Sequence, residues 1–338
     1  MVSIIIPIYN EEKFISDCLR SLINQDFPKD EIEIICVDGM SSDTSIQIIK
    51  EYSRQHRFIR LLENPDRIVS HALNSGIKAA SGDVIIRIDA HCIYPVNYIS
   101  VLVKMLTSLN ADNVGAVINS LPACGSAICK AIAVGSANGF GVGDSAFRIG
   151  SDRIKAVDTV PFGCFRRDIF HRIGYFDTDL IRNQDDEFNA RIIKNGGKIY
   201  LIPEVRVDYF ARETLSKMAR MFYQYALFKP LVNKKIGAPA SVRQLVPPIF
   251  VTGIFGGIIL GLLFPMVLPV FLFALGIYCF ISLVISLRGA LKNKSAFLFF
   301  LLPVVFLVIH LSYGWGYLSG LVKFLILKKK NVAAEVNH

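Results

Sequence analysis

The apolar tail constrains this chain more than any other feature. From Pro247 onward three segments, 248–264, 267–287 and 296–313, are almost wholly apolar. Each approaches the roughly 20 residues that cross the ~30 Å hydrocarbon core of a bilayer. A chain with such a tail does not close as one soluble domain. The tail carries the excess behind a mean hydropathy of +0.44 and 52% hydrophobic residues, because residues up to about 240 read as ordinary globular sequence. The layout is thus a globular part over 1–230, a basic juxtamembrane or interfacial segment over 212–246, and a membrane region of about three helices over 247–327.

The net charge of +9 admits two polyanions, nucleic acid and an anionic membrane surface. Many basic residues lie between Arg206 and Arg243, beside the tail, or follow it at Lys328, Lys329 and Lys330. That placement favours lipid headgroups, and no nucleic-acid module is visible. Leu215, Met218, Phe222 and Tyr225 fall on one helical face with Lys217, Arg220 and Lys229 nearby, which suits an interfacial helix or a packed core helix. Arg288, Lys292 and Lys294 place the second connection in the cytoplasm, with an outward tip at 265–269. The third segment should then exit, yet Lys328–Lys330 favour the cytoplasm, so the number of crossings stays open. Gly314-Trp315-Gly316 is a candidate break, Gly316 and Gly320 a candidate close-packing face, and His310 a packing residue rather than a proton relay. The seven cysteines show no CxxC pair. This argues against a zinc site or a disulfide framework and suits a reducing compartment. No secretory signal is visible. The expectation is a multi-pass inner-membrane protein whose globular part is cytoplasmic.

Within the globular part, apolar runs alternate with helical patterns. Ser3 to Ile8 reads as a strand, followed by a helix from Glu11 to about Asn24 capped by Asn10. Glu31 to Val37 is a second strand, with Ser42 or Asp43 capping a helix to about Arg57. Ile59 to Leu62, a helix over His71 to Ala80, and a strand through Val84-Ile85-Ile86 follow. This alternation predicts βαβ units and a largely parallel sheet. Ligands in such sheets bind beyond the carboxyl ends of the strands. Two of those ends carry chemistry. One is Asp89-Ala90-His91, which reads either as a seat for a divalent cation carrying a diphosphate or as a turn cap beside a loop histidine. The other is Asp38-Gly39-Met40-Ser41-Ser42-Asp43, which reads either as a ribose or base contact or as a capped strand-to-helix turn. The phosphate loops GxxxxGK[ST] and GxGxxG are absent.

Several stretches in order carry a resemblance: Val2-Ser3-Ile4-Ile5-Ile6-Pro7-Ile8-Tyr9-Asn10-Glu11-Glu12, Val37 to Asp43, and Asp89-Ala90-His91. They resemble the family 2 glycosyltransferases, whose fold is the α/β GT-A type (nucleotide-diphospho-sugar transferase, Rossmann-like). Asn64-Pro65, Ala72-Leu73-Asn74-Ser75-Gly76-Ile77 and Arg87-Ile88-Asp89-Ala90-His91 resemble the succinoglycan-type members of polysaccharide assembly. The resemblance covers about residues 1–230.

It implies donor-nucleotide contacts at Pro7, Tyr9, Glu11, Asp38, Ser41, Asn74 and Arg87, and a metal, Mn²⁺ or Mg²⁺, at Asp89 and His91. In Pro161-Phe162-Gly163-Cys164-Phe165-Arg166-Arg167 it implies an acceptor or diphosphate vicinity at Gly163, Cys164, Arg166 and Arg167, with Arg191 matching a downstream basic residue. In Asn183-Gln184-Asp185-Asp186-Glu187 it places the catalytic base on Asp185. Gln184 departs from the usual Glu, which leaves Asp186 and Glu187 as competitors for that role. The Gln-x-x-Arg-Trp motif of processive synthases is missing, since Leu227-Phe228 follow Gln224; this implies addition of a single sugar. The expected reaction is inverting transfer from a UDP- or GDP-sugar to a polyprenyl-linked oligosaccharide. The alternatives are transfer to a simple polyprenyl phosphate, or a non-catalytic nucleotide-sugar-binding membrane subunit. Three apolar segments without an intramembrane acid argue against a transporter.

Overall fold

A computed structural model describes residues 1–239 and 241–328. Lys329 and Lys330 of the basic C-terminal cluster lie outside the described residues. In chain order the elements begin β1 (Val2–Ile8), α1 (Ile15–Ile23), β2 (Ile32–Asp38), α2 (Ser45–Gln55), β3 (Ile59–Glu63), α3 (Val69–Ala79) and β4 (Val84–Arg87). They continue with β5 (Cys92–Ile93), α4 (Tyr98–Ser108), β6 (Asn113–Leu121), α5 (Ala127–Ser136), α6 (Gly139–Val142) and α7 (Ala146–Ile149). β7 (Lys155–Ala156), β8 (Cys164–Arg166), α8 (Asp168–Ile173), α9 (Gln184–Lys194) and β9 (Ile199–Phe210) follow. The chain then becomes helical: α10 (Leu215–Ile236), α11 (Val246–Leu263), α12 (Leu268–Lys292) and α13 (Phe297–Gly320). Two compact units result, one from Met1–Asn119 with Gly150–Tyr209, the other from Ser120–Ile149 with the chain from Phe210.

In the first unit the parallel strands form because β1 and β2 are nearly continuous Ile/Val runs. Every residue of β2 is buried, the pattern of a strand covered on both faces. The sheet order is β3-β2-β1-β4-β8-β6-β9-β5, with β7 on β9. β1 to β4 are mutually parallel, as the alternation predicts. Beyond them the expectation of a largely parallel sheet is corrected. β8 runs antiparallel to both β4 and β6, and β9 antiparallel to β5 and β7. β8 has only three residues, too few to show a period, so its direction was invisible beforehand.

One capping expectation is also corrected. Asn10 does not open a helix at Glu11. It takes a left-handed conformation with φ 55°, and its side-chain oxygen accepts a hydrogen bond from the Ser42 backbone N–H at 2.8 Å. The helix starts four residues past Glu11, at Ile15.

The second unit is built around α13. Ala131, Ile132 and Ala133 of α5, Met218 and Phe222 of α10, and Leu302, Val305, Phe306 and Ile309 of α13 share one buried core. α11, α12 and α13 lie in three helices long and apolar enough to cross a membrane. The break expected at Gly314-Trp315-Gly316 does not occur, for α13 runs through to Gly320. Its glycines are packing positions. A Cβ on Gly316 would overlap the Tyr223 carbonyl, and one on Gly320 the Leu227 carbonyl, so the small-residue pair lets α10 and α13 approach backbone to backbone. One disulfide, Cys124–Cys129, closes the turn into α5, while Cys18, Cys36, Cys92, Cys164 and Cys279 are free.

Candidate active site

The carboxyl ends of β1, β2 and β4 converge, since Ile8 is in register with Asp38 and Ile5 with Arg87. The loops after β1 and β2 are knitted into one rim. Ser41 Oγ accepts the Asn10 N–H at 2.9 Å, Ser45 Oγ the Glu11 N–H at 2.8 Å, and Asp43 the Glu12 N–H at 3.0 Å. The extra hydrogen bonds on Asp43 hold its carboxyl below the usual carboxylate range. Asp38 is 1% exposed. Its carboxylate accepts from the Ser41 N–H at 2.9 Å and the Ser41 hydroxyl at 2.6 Å, so Ser41 orients the acid. Pro7 sits beside Val37 across the two strands, and Tyr9, 49% exposed, stands on the rim.

At the end of β4 a line of charge forms. The Arg87 Nη2 group donates to Asp89 Oδ1 at 2.9 Å, and its Nη1 donates to Asp185. Asp185 lies in the first turn of α9, where the helix dipole favours acids. Arg87 itself is 7% exposed, and its guanidinium lies 5.8 Å from the centre of the Phe162 ring. Tyr94 braces Asp89, its hydroxyl accepting the Asp89 N–H at 2.9 Å and donating to the Asp89 carbonyl. Glu11 Oε1 is 3.1 Å from His91 Nδ1, with the Phe14 and Tyr209 rings edge-on to the imidazole. Burial pushes the Asp185 carboxyl up to about 6; Arg87 opposes this, while Asp89 and Asp186 add to it. Over a quarter of the side chain, 28%, still reaches solvent. A carboxylate poised near neutrality and open to a ligand is equipped to take a proton.

The geometry separates Glu187 from Asp185 on α9. Glu187 is 4% exposed and held by Arg191, whose Nε and Nη2 donate at 2.6 and 2.8 Å. Arg191 also donates to the carbonyls of Ile173 and Tyr175. It is a loop clamp and not a group facing the Arg87–Asp185 pair. Asp185 contacts Arg87, whereas Glu187 is taken up by Arg191.

Other predicted residues are placed elsewhere. Asn74 is buried, donating to the Phe176 carbonyl at 2.8 Å and accepting its N–H at 3.0 Å. Arg166 and Arg167 lie at the opposite end of β4: Arg166 pairs with Val84, and the Arg167 backbone N–H donates to Asp83. Cys164 is fully buried in β8, and that burial raises its thiol pKa. Gly163 remains near the site, its carbonyl accepting the Arg87 N–H at 3.0 Å. A Cβ there would strike Phe165 and Asn113. The reading from sequence missed the Glu12–Asp43 rim, Tyr94 and the bridging position of Arg87; the first has a signal in the polar run Asn10-Glu11-Glu12, the others none.

Among the described residues no group of three His, Cys, Asp or Glu side chains could hold a metal ion. Asp89 with His91 supplies a carboxylate and an imidazole. That set is too small for a resident ion and fits one completed by phosphate oxygens, the usual arrangement for Mg²⁺ at nucleotides.

A parallel sheet with acids at its carboxyl ends, closed by an antiparallel half, defines a nucleotide-sugar transferase fold. The mannosyltransferase PcManGT from Pyrobaculum calidifontis, solved with GDP-Man and Mn²⁺, superposes with a TM-score of 0.57 at 19% identity over 93% of this chain and 87% of that one. Residues 3–173 match the family described as Glycosyl transferase family 2, and the chain is a glycosyltransferase of that family. Among its relatives is the dolichyl N-acetyl-alpha-D-glucosaminyl phosphate 3-beta-D-2,3-diacetamido-2,3-dideoxy-beta-D-glucuronosyltransferase of Methanococcus voltae, 30% identical over 95% of this chain and 97% of that protein. Another is the succinoglycan biosynthesis protein ExoA of Rhizobium meliloti, 26% identical over 95% of each.

Proposed function

We propose that this enzyme moves one sugar from a UDP- or GDP-sugar, with inversion, to a polyprenyl-linked acceptor at the cytoplasmic face of the inner membrane, in the assembly of a cell-surface glycan. The observation that carries the reading is the Asp185–Arg87–Asp89 line, which sets a proton acceptor beside a metal-competent acid. The dolichyl-linked substrate in the name of the Methanococcus voltae relative supports the acceptor class, as do the three apolar helices.

The acceptor hydroxyl attacks the anomeric carbon while Asp185 takes its proton. The glycosidic bond to the nucleoside diphosphate breaks on the opposite face, and the diphosphate leaves. Asp38, oriented by Ser41, with Pro7, Tyr9 and Glu11, forms the nucleoside side. Asp89 with His91 would hold Mn²⁺ or Mg²⁺, which neutralises charge on the leaving diphosphate. Arg87, ion-paired to both acids, offsets part of their mutual repulsion.

A donor screen on detergent-solubilised full-length protein tests this. Release of nucleoside diphosphate from one donor, dependent on Mn²⁺ or Mg²⁺ and increased by polyprenyl-phosphate or polyprenyl-diphosphate sugars, is the expected result. No release from any donor together with no nucleotide binding refutes it.

A further inference from the structure

The second unit tells how the tail meets the membrane. α10 and α13 advance together: Gly316 abuts Tyr223, Gly320 abuts Leu227 one turn on, and the Phe228 and Phe324 rings lie 5.5 Å apart. Asn233 Nδ2 adds a hydrogen bond to the Tyr317 hydroxyl at 3.1 Å. α10 carries Lys217, Arg220, Lys229, Lys234 and Lys235. Its longest stretch without a charge, Met221 to Phe228, is about 12 Å long at 1.5 Å per residue, against a hydrocarbon core of ~30 Å. α10 therefore does not cross a bilayer, and a helix laid along it does not cross there either.

The remainder of α13 is covered on the same side by the short helices α5 and α6, while α11 and α12 pack beside it, Pro247 and Val251 against Gly314 and Gly289 against Leu302. Gly135 of α5 abuts Val305 and Leu302, and Gly141 of α6 abuts Ile309 and Phe306. His310 Nε2 donates to the Phe140 carbonyl at 2.7 Å, and the Tyr278 hydroxyl lies 3.0 Å from its Nδ1. What α13 exposes is a stripe at three- and four-residue steps: Phe297, Phe300, Val304, Leu307, Leu311 and Trp315, resuming at Val322. The exposed side of α13 is thus apolar throughout and includes Trp315 near its end, a residue type that concentrates at membrane–water interfaces.

We propose that α13 lies in the plane of the membrane surface with this stripe against lipid acyl chains, so the chain leaves α13 on the face where it entered. Any insertion into the bilayer falls to the α11–α12 hairpin, whose tip at Phe264 and Met266 is 59% and 90% exposed. This places Lys328 on the same face as Arg288, Lys292 and Lys294, which removes the charge conflict that three crossings create.

The test uses the full-length protein with a protease-cleavable epitope at each terminus, in sealed vesicles selected by the N-terminal epitope facing outward. Both epitopes should be cleaved without detergent. In parallel, the single tryptophan is compared at two places, Trp315 in the natural chain and Leu307→Trp in a Trp315→Phe background. Lipids brominated at known acyl depths supply the quenching. In-plane placement predicts the same shallow depth for both, whereas a crossing helix separates them by about 12 Å. Protection of the C-terminal epitope until detergent is added overturns the proposal. So does deep quenching at position 307 with shallow quenching at 315.

Discussion

Arg87 gives the sharpest handle on the site. Replacing it with methionine, of similar length, removes the cation that Asp185 and Asp89 share. Both the charge and the hydrogen bond of Arg87 pull the Asp185 pKa down against burial, so removing them moves it up from about 6. An adjacent opposite charge lowers a carboxylate pKa by about 1–3 units, and the 28% solvent exposure of Asp185 favours the low end. A rise of about one unit is expected, equivalent to about 1.4 kcal/mol. At pH 7 the ionised fraction of the base then falls from about nine-tenths to about half, a roughly twofold loss that disappears above about pH 9. A loss of kcat that persists at high pH measures misplacement of Asp185 instead. The assay is nucleoside diphosphate release, with kcat/KM followed from pH 5 to 9. Arg87→Lys should recover part of the shift, since an ammonium is a point charge without the planar fork that reaches both acids. An acid limb that stays in place, or moves to lower pH, refutes the reasoning.

In the natural enzyme the base must be ionised to act, so kcat/KM should fall as pH drops through about 6. Asp185→Asn should reduce transfer by about 10²–10⁴-fold while nucleotide affinity, read by calorimetry, changes little. Glu187→Gln, by contrast, should cost about 2–4 kcal/mol of stability in denaturant titration by loosening the Arg191 clamp, with a small effect on kcat. If Glu187→Gln instead abolishes turnover at unchanged stability, the base lies there. Gly320→Leu should lower the thermal midpoint in detergent by pushing α10 away from α13, and equal midpoints for the two proteins would refute that packing.

Much of this could be read directly from the residues. The Ile/Val runs at β1, β2 and β4 bury on both faces whatever surrounds them, so their strands and parallel alternation were legible. The motif order then carried the family, and the apolar tail its three long helices. Local pattern also placed Asp38 and Asp89 at strand ends, where chemistry gathers, and the family resemblance singled out Asp185. What local pattern could not give is where Asn74, Cys164, Arg166, Arg167 and Arg191 go, for Asn74 is bonded to Phe176, Cys164 is buried in β8 and Arg191 is tied to Glu187. Arg166 faces away from the site only because β8 runs antiparallel to β4, and three residues hold no period from which to read that.

The sequence by itself determined the first four strands, the apolar helices and which acids are available, since these follow from side-chain period and hydrophobicity within a few residues. Only the tertiary structure decided that Asp185 meets Arg87 while Glu187 is held by Arg191. It alone showed that Asn10 ties two loops instead of capping a helix, and that α13 is covered along one face by α5, α6 and α10. Those outcomes depend on contacts between residues far apart in the chain, such as Arg87 with Asp185 and Gly316 with Tyr223, and no local pattern encodes a partner at that separation.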